Sequence, residues 1–218
     1  MLVPKFAQDQ GFVKICGVTS VEDARVVIAA GADALGLIFA ESSRRLSLEE
    51  AREIARATEG SILRVGVFRH QDRDSVLALV DATGVDVAQI HGDLDVDLIK
   101  ALRDREVAIV KALSVGDPEF ASFDESLVDA ILIDGPSPGS GQVHAWEELR
   151  ARRFVLPVIA AGGLTPSNVV AVLETTNVAG VDVSSGVEAG PRKKDPKKVR
   201  DFVMNARQYF DLRGAWRG

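Results

Sequence analysis

Eight short runs of β-branched and other apolar residues alternate with amphipathic helical stretches along most of the chain. The runs are Phe12–Cys16, Ala34–Phe39, Leu63–Phe68, Val87–His91, Val107–Lys111, Ala130–Asp134, Phe154–Ala160 and Val181–Ser184. Short apolar strands that alternate with helices are typical of a parallel sheet with helical crossovers, because parallel neighbours need a long connection between them.

The fold that this alternation predicts is a single (β/α)8 TIM barrel with eight parallel strands. The eight units use nearly all of the 218 residues, and no stretch rich in Pro, Gly or Ser divides the chain. We therefore expect one domain over residues 1–218, with 1–11 and 211–218 as terminal extensions. An open doubly wound sheet is the alternative, but no G-x-G-x-x-G motif follows the first run, where Gly17 stands alone.

Capping residues mark the starts of the first helical stretches. Thr19 or Ser20 precedes an acidic pair by three residues, and Ser47 precedes Glu50 by three. This spacing is that of a capping box, in which the side chains of both residues bind backbone N–H groups. Helices are therefore predicted to begin directly after these positions.

A weak repeat precedes the second, fourth and sixth runs. The three segments are Gly31-Ala-Asp33, Gly84-Val-Asp86 and Leu127-Val-Asp129. A repeated two-strand unit would produce this pattern, and so would the general preference of turns for Gly and Asp.

Composition excludes several kinds of partner. The net charge of −6 and the isoelectric point near 5.2 argue against nucleic-acid binding, which needs a basic face. The longest apolar stretch, Val26–Ala40, contains Asp33 and is too short for a membrane span. The single cysteine, Cys16, cannot form an intrachain disulfide, so we expect a reducing compartment, the cytoplasm. No histidine or cysteine spacing predicts a metal site.

The ends of the last two strands predict a phosphate site. In a barrel of this kind the active site lies at the carboxyl ends of the strands, and the loops after strands seven and eight commonly bind phosphate through backbone N–H groups. The candidate residues are Gly162, Gly163, Ser184, Ser185 and Gly186. Ordinary tight turns would also use these glycines.

Cys16 and Asp134 are the candidate catalytic pair. Cys16 ends the first strand and Asp134 ends the apolar sixth strand, where desolvation would raise the pKa of a carboxyl group toward values useful for a general acid. A free cysteine is otherwise often a small buried apolar residue, and an aspartate at this place could cap a helix or close a turn.

Three further polar residues are expected at the same end of the barrel. Arg44 could bind a carboxylate through two parallel hydrogen bonds, or it could be a solvated loop charge like its neighbour Arg45. Gln89 and His91 share one face of the fourth strand by the two-residue period of a strand. A histidine at such a place can also be structural.

Eight short blocks of sequence lie at or near the strand ends between about Phe12 and Ala206. They are Lys14-Ile-Cys16-Gly17, Gly36-Leu-Ile-Phe39, Ser42-x-Arg44, Val65-Gly66-Val67-Phe68, Gln89-Ile-His91-Gly92, Leu132-Ile-Asp134, Ala161-Gly162-Gly163-Leu164 and Val181-Asp182-Val-Ser184-Ser185-Gly186-Val-Glu188. Together, and in this order, the blocks resemble the phosphoribosylanthranilate isomerase family of tryptophan biosynthesis.

The resemblance implies a cofactor-free Amadori rearrangement of N-(5-phosphoribosyl)anthranilate to 1-(2-carboxyphenylamino)-1-deoxyribulose 5-phosphate. It implies that Asp134 is the general acid and Cys16 the general base, that Arg44 binds the anthranilate carboxylate, and that Asp182 lies near the amine or ribose. The glycines and serines at the ends of strands seven and eight would bind the phosphate. The implied partner is a small phosphorylated substrate, and family members include monomers and homodimers.

Three departures from the family pattern stand out. The loop Gly139 to Trp146 lacks the usual Phe-Asp before its tryptophan, strand three ends in Phe68-Arg69-His70 rather than Phe-Val-Asn, and the C-terminus is longer than usual. Two other functions remain open. One is the analogous isomerase of histidine biosynthesis, whose family has an aspartate where Cys16 stands. The other is a catalytically silent barrel that binds a phosphorylated ligand or a protein.

Overall fold

The structure, a computed structural model, describes residues 6, 11–135, 144–176 and 178–215. Eight parallel strands form a closed barrel in which each strand pairs with the next in the sequence and β8 pairs with β1. The predicted (β/α)8 TIM barrel is therefore confirmed, and the open doubly wound sheet is excluded, because β8 closes onto β1 over four residue pairs.

The strands are short, as a barrel of this size requires. Those of the barrel are β1 (Phe12–Ile15), β2 (Ala34–Ile38), β3 (Leu63–Arg69), β4 (Val87–His91), β5 (Ala108–Ser114), β6 (Ala130–Asp134), β7 (Val158–Ala161) and β8 (Gly180–Val183). After β8 the chain adds an antiparallel hairpin, β9 (Glu188–Gly190) with β10 (Lys193–Lys194), which the sequence did not predict.

The helices lie between the strands and cover the outside of the barrel. They are α1 (Val21–Ala29), α2 (Leu48–Thr58), α3 (Arg73–Thr83), α4 (Val96–Arg103), α5 (Pro118–Ser122), α6 (His144–Ala151), α7 (Val169–Thr176) and α8 (Pro196–Ala215). Residues 211–215, expected as part of a C-terminal extension, continue α8.

The helix starts follow the capping predictions. Ser20 caps α1, since its side chain accepts a hydrogen bond from the backbone N–H of Asp23. Ser47 and Glu50 form a complete capping box at the start of α2. These contacts satisfy N–H groups that have no partner within the helix.

The predicted start of the seventh strand at Phe154 is wrong. Pro157 has no N–H to donate to a ladder, and the N–H groups of Val155 and Leu156 bind the Glu125 carboxylate at 2.7 and 2.9 Å. The chain therefore joins the sheet only at Val158. The fifth strand is longer than predicted, because its ladder with β6 continues to Ser114.

Alternate residues of each strand face two different apolar layers. The inward-facing set includes Phe12, Val65, Val87, Val110 and Leu132. The outward-facing set is larger and packs against the helices. Polar residues enter the interior near the carboxyl ends, where Lys14, Gln89 and Asp182 are buried. The barrel is therefore sealed at one end and carries its polar groups at the other.

The three repeated aspartates have one structural role at the sealed end. Each accepts a hydrogen bond from a backbone N–H of the preceding strand, and each pairs with an arginine. The contacts are Val13 N–H and Arg207 to Asp33, Arg64 N–H and guanidinium to Asp86, and Ile109 N–H and Arg103 to Asp129. The corresponding position before β8 is Ala179, whose N–H binds the oxygen of Val158. The repeat thus marks a contact that recurs between neighbouring strands, in which an aspartate before one strand binds the backbone of the strand before it.

Substitution of Asp86 by alanine tests this role. The carboxylate is buried and binds Arg64 at 3.0 Å with both oxygens, so D86A leaves a largely buried guanidinium without its partner. We expect a loss of about 3 kcal/mol in the free energy of unfolding, measured by urea denaturation. Asp74, whose side chain is 82% exposed, is the matched control, and D74A should cost under about 0.5 kcal/mol. Equal costs for the two variants would contradict the assignment.

Candidate functional site

A cavity of about 420 Å³ opens at the carboxyl ends of the barrel strands. The sequence-predicted residues that line it are Cys16, Arg44, Gln89, His91, Asp134, Gly162, Gly163, Asp182, Ser184 and Ser185. Gly186 is not among the lining residues. It lies against the backbone of Leu164, where a Cβ atom would come within 1.9 Å of the carbonyl oxygen. Gly186 therefore allows the loops after β7 and β8 to pack together.

A buried ion pair lies at the base of the cavity. Lys14 and Asp182 are partners in the β1–β8 ladder, and Nζ of Lys14 donates to Oδ2 of Asp182 at 2.9 Å. Their side chains are 2% and 7% exposed. Burial alone would lower the pKa of Lys14, but the charges of Asp182 and Cys16 raise it above its usual value. Lys14 is therefore a permanent cation in the floor of the site.

Cys16 follows β1 directly, and its surroundings favour the protonated thiol. Burial raises the pKa of Cys16, an effect that the nearby Lys14 ammonium opposes and Asp182 reinforces. Room for the side chain comes from Gly36 on β2, where a Cβ atom would lie 2.7 Å from the sulfur. The positive charges of Lys14 and Lys194 favour a thiolate, but desolvation and the charge of Asp182 outweigh them.

Asp134 ends β6, and its surroundings raise its pKa as well. Burial raises the pKa of this carboxyl group, as does the charge of Asp182, while Arg69 and Lys14 act in the opposite direction. The expectation from the apolar strand Ala130–Ile133 therefore agrees with the structure. A carboxyl group with a raised pKa can retain a proton closer to neutral pH and then donate it.

The ion pairs around Arg44 were not predicted. Nε and Nη2 of Arg44 donate to the two oxygens of Glu188 at 2.6 and 2.7 Å. Lys194, which is fully buried, binds the same carboxylate at 3.3 Å and the backbone oxygen of Ser184 at 3.1 Å. Burial alone would raise the pKa of Glu188, but Arg44 and Lys194 hold it below its usual value. Glu188 is thus an anion that fixes the guanidinium of Arg44, which lines the cavity.

Gln89 and His91 lie side by side on β4, as the strand period predicted. Nε2 of Gln89 and Nε2 of His91 are 3.0 Å apart. Burial and the positive charges of Arg69 and Lys14 lower the pKa of His91 to about 4. The imidazole is therefore neutral at physiological pH and adds hydrogen-bonding capacity without charge.

The loops after β7 and β8 bring backbone and hydroxyl groups to the cavity rim. Gly162 has φ of 91°. A Cβ atom on it would lie 2.4 Å from the oxygen of Gly135. Glycine is therefore required there by conformation and by space. Among the residues that the structure describes, the buried Oγ of Ser184 and Oδ1 of Asp182 have no hydrogen-bond partner. Unpaired buried polar atoms are costly, and these two atoms can accept or donate a hydrogen bond to a ligand in the cavity.

The loop Gly139 to Trp146, which departs from the family pattern, lies partly outside the described residues, which resume at His144. The ring of Trp146 lies close to Gly135, where a Cβ atom would come within 2.5 Å of it. Among the described residues, no group of His, Cys, Asp and Glu could hold a metal ion. No described helix is long and apolar enough to cross a membrane.

The fold and the cavity define a (β/α)8 barrel enzyme with its site at the carboxyl ends of the strands. Residues 13–205 match the family model of N-(5'phosphoribosyl)anthranilate (PRA) isomerase. The chain belongs to this family and is an isomerase of tryptophan biosynthesis.

Relatives and solved structures agree with the family assignment. The isomerase of Rubrobacter xylanophilus is 41% identical over 202 residues, which cover 89% of this chain and 98% of that protein. The crystal structure of phosphoribosyl anthranilate isomerase from Thermotoga maritima matches with a TM-score of 0.79 and 34% identity, covering 91% and 99% of the two chains. A further isomerase structure, in complex with reduced 1-(o-carboxyphenylamino)-1-deoxyribulose 5-phosphate, matches with a TM-score of 0.77 and 32% identity, covering 91% and 99%.

Proposed function

We propose that this chain catalyses the Amadori rearrangement of N-(5-phosphoribosyl)anthranilate to 1-(2-carboxyphenylamino)-1-deoxyribulose 5-phosphate, with Asp134 as general acid and Cys16 as general base. The observation that carries the proposal is that a carboxyl group and a thiol, both with raised pKa values, line one cavity. Beside them lie two buried polar atoms without a described hydrogen-bond partner, on Asp182 and Ser184. The rearrangement consists of proton transfers, and the carboxyl group and the thiol supply the acid and the base.

Asp134 acts in the first step. Its carboxyl proton moves to the furanose ring oxygen, the bond from that oxygen to C1 breaks, and the nitrogen lone pair forms a C1=N iminium. The raised pKa of Asp134 keeps a fraction of the carboxyl protonated near neutral pH, which this step requires.

Cys16 acts in the second step. Its thiolate removes the proton from C2, and the electrons of that bond neutralise the iminium to give an enolamine, which tautomerises to the product. The reactive form of the free enzyme therefore has a protonated Asp134 and a thiolate at Cys16. The iminium and the Lys14 ammonium are the positive charges that favour this thiolate against its burial.

The remaining residues bind the substrate. We propose that the phosphate lies against Gly162, Gly163, Ser184 and Ser185, where the buried Oγ of Ser184 is available as a donor. Gly186 would contribute by allowing the two loops to pack together. Asp182 would accept a hydrogen bond from the ribose or amine through its unpaired Oδ1. Gln89 and the neutral His91 would bind hydroxyl groups.

Arg44 binds the substrate carboxylate in this proposal. Glu188 occupies Nε and one N–H of Nη2, so the Nη1 group and the second N–H of Nη2 remain for the ligand. A guanidinium fixed on one edge loses less conformational freedom when the other edge binds a carboxylate.

We further propose that the enzyme works in the cytoplasm as a monomer or a homodimer. A reducing compartment keeps the single thiol available as a base. Solved relatives include a dimeric enzyme of Thermotoga maritima and monomers generated from it. Sedimentation equilibrium of the purified chain distinguishes the two states.

Growth rescue tests the reaction. The gene should restore growth without tryptophan to a strain that lacks this isomerase, because the chain makes the product that the strain is missing. A histidine auxotroph that lacks the analogous isomerase, tested in parallel, reports whether the second substrate is accepted. Rescue of neither strain would contradict the proposed reaction and favour a silent barrel.

Substitutions at the two catalytic residues test their roles. C16A and D134N should each lower kcat by about a thousandfold or more, since general acid and base groups commonly contribute about two to four powers of ten. Their free energies of unfolding should stay within about 1 kcal/mol of wild type. Asp93 is an exposed carboxylate in the loop after β4, and D93N is the matched control with unchanged turnover. Near-wild-type turnover of either catalytic variant would refute its assigned role.

The pH dependence follows from the two raised pKa values. Below the pKa of Asp134 the reactive form decreases as the pH falls, because fewer Cys16 thiols are ionised. Above the pKa of Cys16 it decreases as the pH rises, because fewer Asp134 carboxyl groups are protonated. The pH profile of kcat/KM should therefore be bell-shaped. The lower midpoint should lie above the ordinary aspartate value of 3.8. The upper midpoint should lie above the ordinary thiol value of 9.0. Steady-state kinetics that compares kcat/KM on both sides of these two values locates each midpoint relative to its ordinary value, and midpoints at or below the ordinary values would contradict the assignment.

A further inference from the structure

Arg69 is a cation of the cavity to which neither the family resemblance nor the proposed mechanism gives a role. It is the last residue of β3 and continues the inward-facing series Leu63, Val65 and Val67. Its side chain is exposed and lines the same cavity as Cys16 and Asp134. Strand geometry thus directs this guanidinium over the mouth of the barrel.

The guanidinium of Arg69 is free to bind an anion. Three other cations at this end have acidic partners, namely Lys14 with Asp182, and Arg44 and Lys194 with Glu188. Within the described residues, the Arg69 side chain forms no ion pair. An anionic ligand at this side of the mouth would therefore meet Arg69 without first breaking an existing pair.

The backbone of Arg69 is fixed by a side-chain bridge. Its N–H donates to Oε1 of Gln71 at 2.6 Å, and Nε2 of Gln71 donates to the backbone oxygen of Phe39 at 2.9 Å. The end of β3 is therefore tied to the end of β2. A cation on a fixed backbone loses less freedom when it binds a ligand.

The surroundings of Arg69 suit an aromatic carboxylate. Ile38 and Val67 give the cavity an apolar surface at the ends of β2 and β3. Neighbouring His91, the register partner of Arg69, is kept neutral by its pKa of about 4. In a closed eight-stranded barrel β2 and β3 face β6 and β7, so this surface lies across the mouth from the loop after β7, which is part of the proposed phosphate site.

We propose that Arg69 binds the aryl carboxylate of the substrate together with Arg44, while the aromatic ring lies on Ile38 and Val67. An extended substrate whose phosphate is bound at β7 and β8 brings its carboxyphenyl end to this place. This proposal rests on the proposed function and adds a residue that selects the 2-carboxyphenyl group.

Neutralisation of Arg69 by the carboxylate has a consequence for the acid. In the free protein the charge of Arg69 lowers the pKa of Asp134. A bound carboxylate offsets that charge, so Asp134 retains its proton more readily when a substrate with this group is in place.

Two ligands and three variants test the proposal. The ligands are reduced 1-(o-carboxyphenylamino)-1-deoxyribulose 5-phosphate and its analogue with hydrogen in place of the carboxylate. The variants are R69Q, R69K and, as control, R73Q, which removes the same charge at the start of α3. Arg73 pairs with Asp74 and Asp97 and does not line the cavity. Calorimetry at about 0.15 M salt, where the screening length is about 8 Å, gives each Kd.

R69Q should weaken binding of the carboxylated ligand about tenfold or more and that of the analogue less than about twofold, as expected for a lost charge-assisted hydrogen bond. R69K should recover part of the loss, and R73Q should change neither Kd. Equal weakening of both ligands by R69Q, no weakening, or the same effect in R73Q would overturn the proposal. Turnover and ligand binding by the wild type are measured first, so a failure of the proposed function is seen separately.

Discussion

The ion pair between Lys14 and Asp182 is the interaction on which the candidate site depends. It joins β1 to β8, the two strands whose pairing closes the barrel, and both of its side chains are buried. Removal of either partner would leave an unpaired charge in the barrel interior, which is strongly unfavourable. The same pair places a cation and an anion beside the Cys16 thiol, so closure of the fold and the chemistry of the site use the same two residues.

Because Asp182 neutralises Lys14, the net effect of the site on its titratable groups comes largely from burial. The pKa values of Cys16 and Asp134 are therefore both raised, and in the proposed mechanism the combination of a protonated Asp134 and a Cys16 thiolate is a minor form of the free enzyme. In the proposed mechanism the substrate supplies the positive charge that favours the thiolate, because a positive charge develops at C1. Arg44 is held by Glu188, whereas Arg69 has no such partner in the part of the chain that the structure describes. Lys14 thus maintains the structure of the site, while Arg69 can bind a ligand without breaking an ion pair of the described residues.

Local patterns were sufficient to predict the barrel, the caps at Ser20 and Ser47, and the gathering of Cys16, Gln89, His91 and Asp134 at one end. These predictions depend on strand period and on the parallel direction of the strands, which the sequence carries directly. The bridge between Arg44 and Glu188 could not be predicted, because its partners are 144 positions apart and meet only in the closed barrel. Strands β9 and β10 are too short to show the two-residue alternation of a strand in the sequence. The start of β7 depends on contacts of the backbone with Glu125, which is distant in the sequence.

The resting state of Cys16 tests the central claim most directly. Since the chain has one cysteine, labelling with cysteine enriched in ¹³C at Cβ gives a single resonance whose chemical shift follows ionisation of the thiol. Its titration in the free wild-type protein should have a midpoint above the ordinary thiol value of 9.0, because burial outweighs the charge of Lys14. A midpoint at or below that value would show a thiolate stabilised before substrate binds, and would contradict this account of the site.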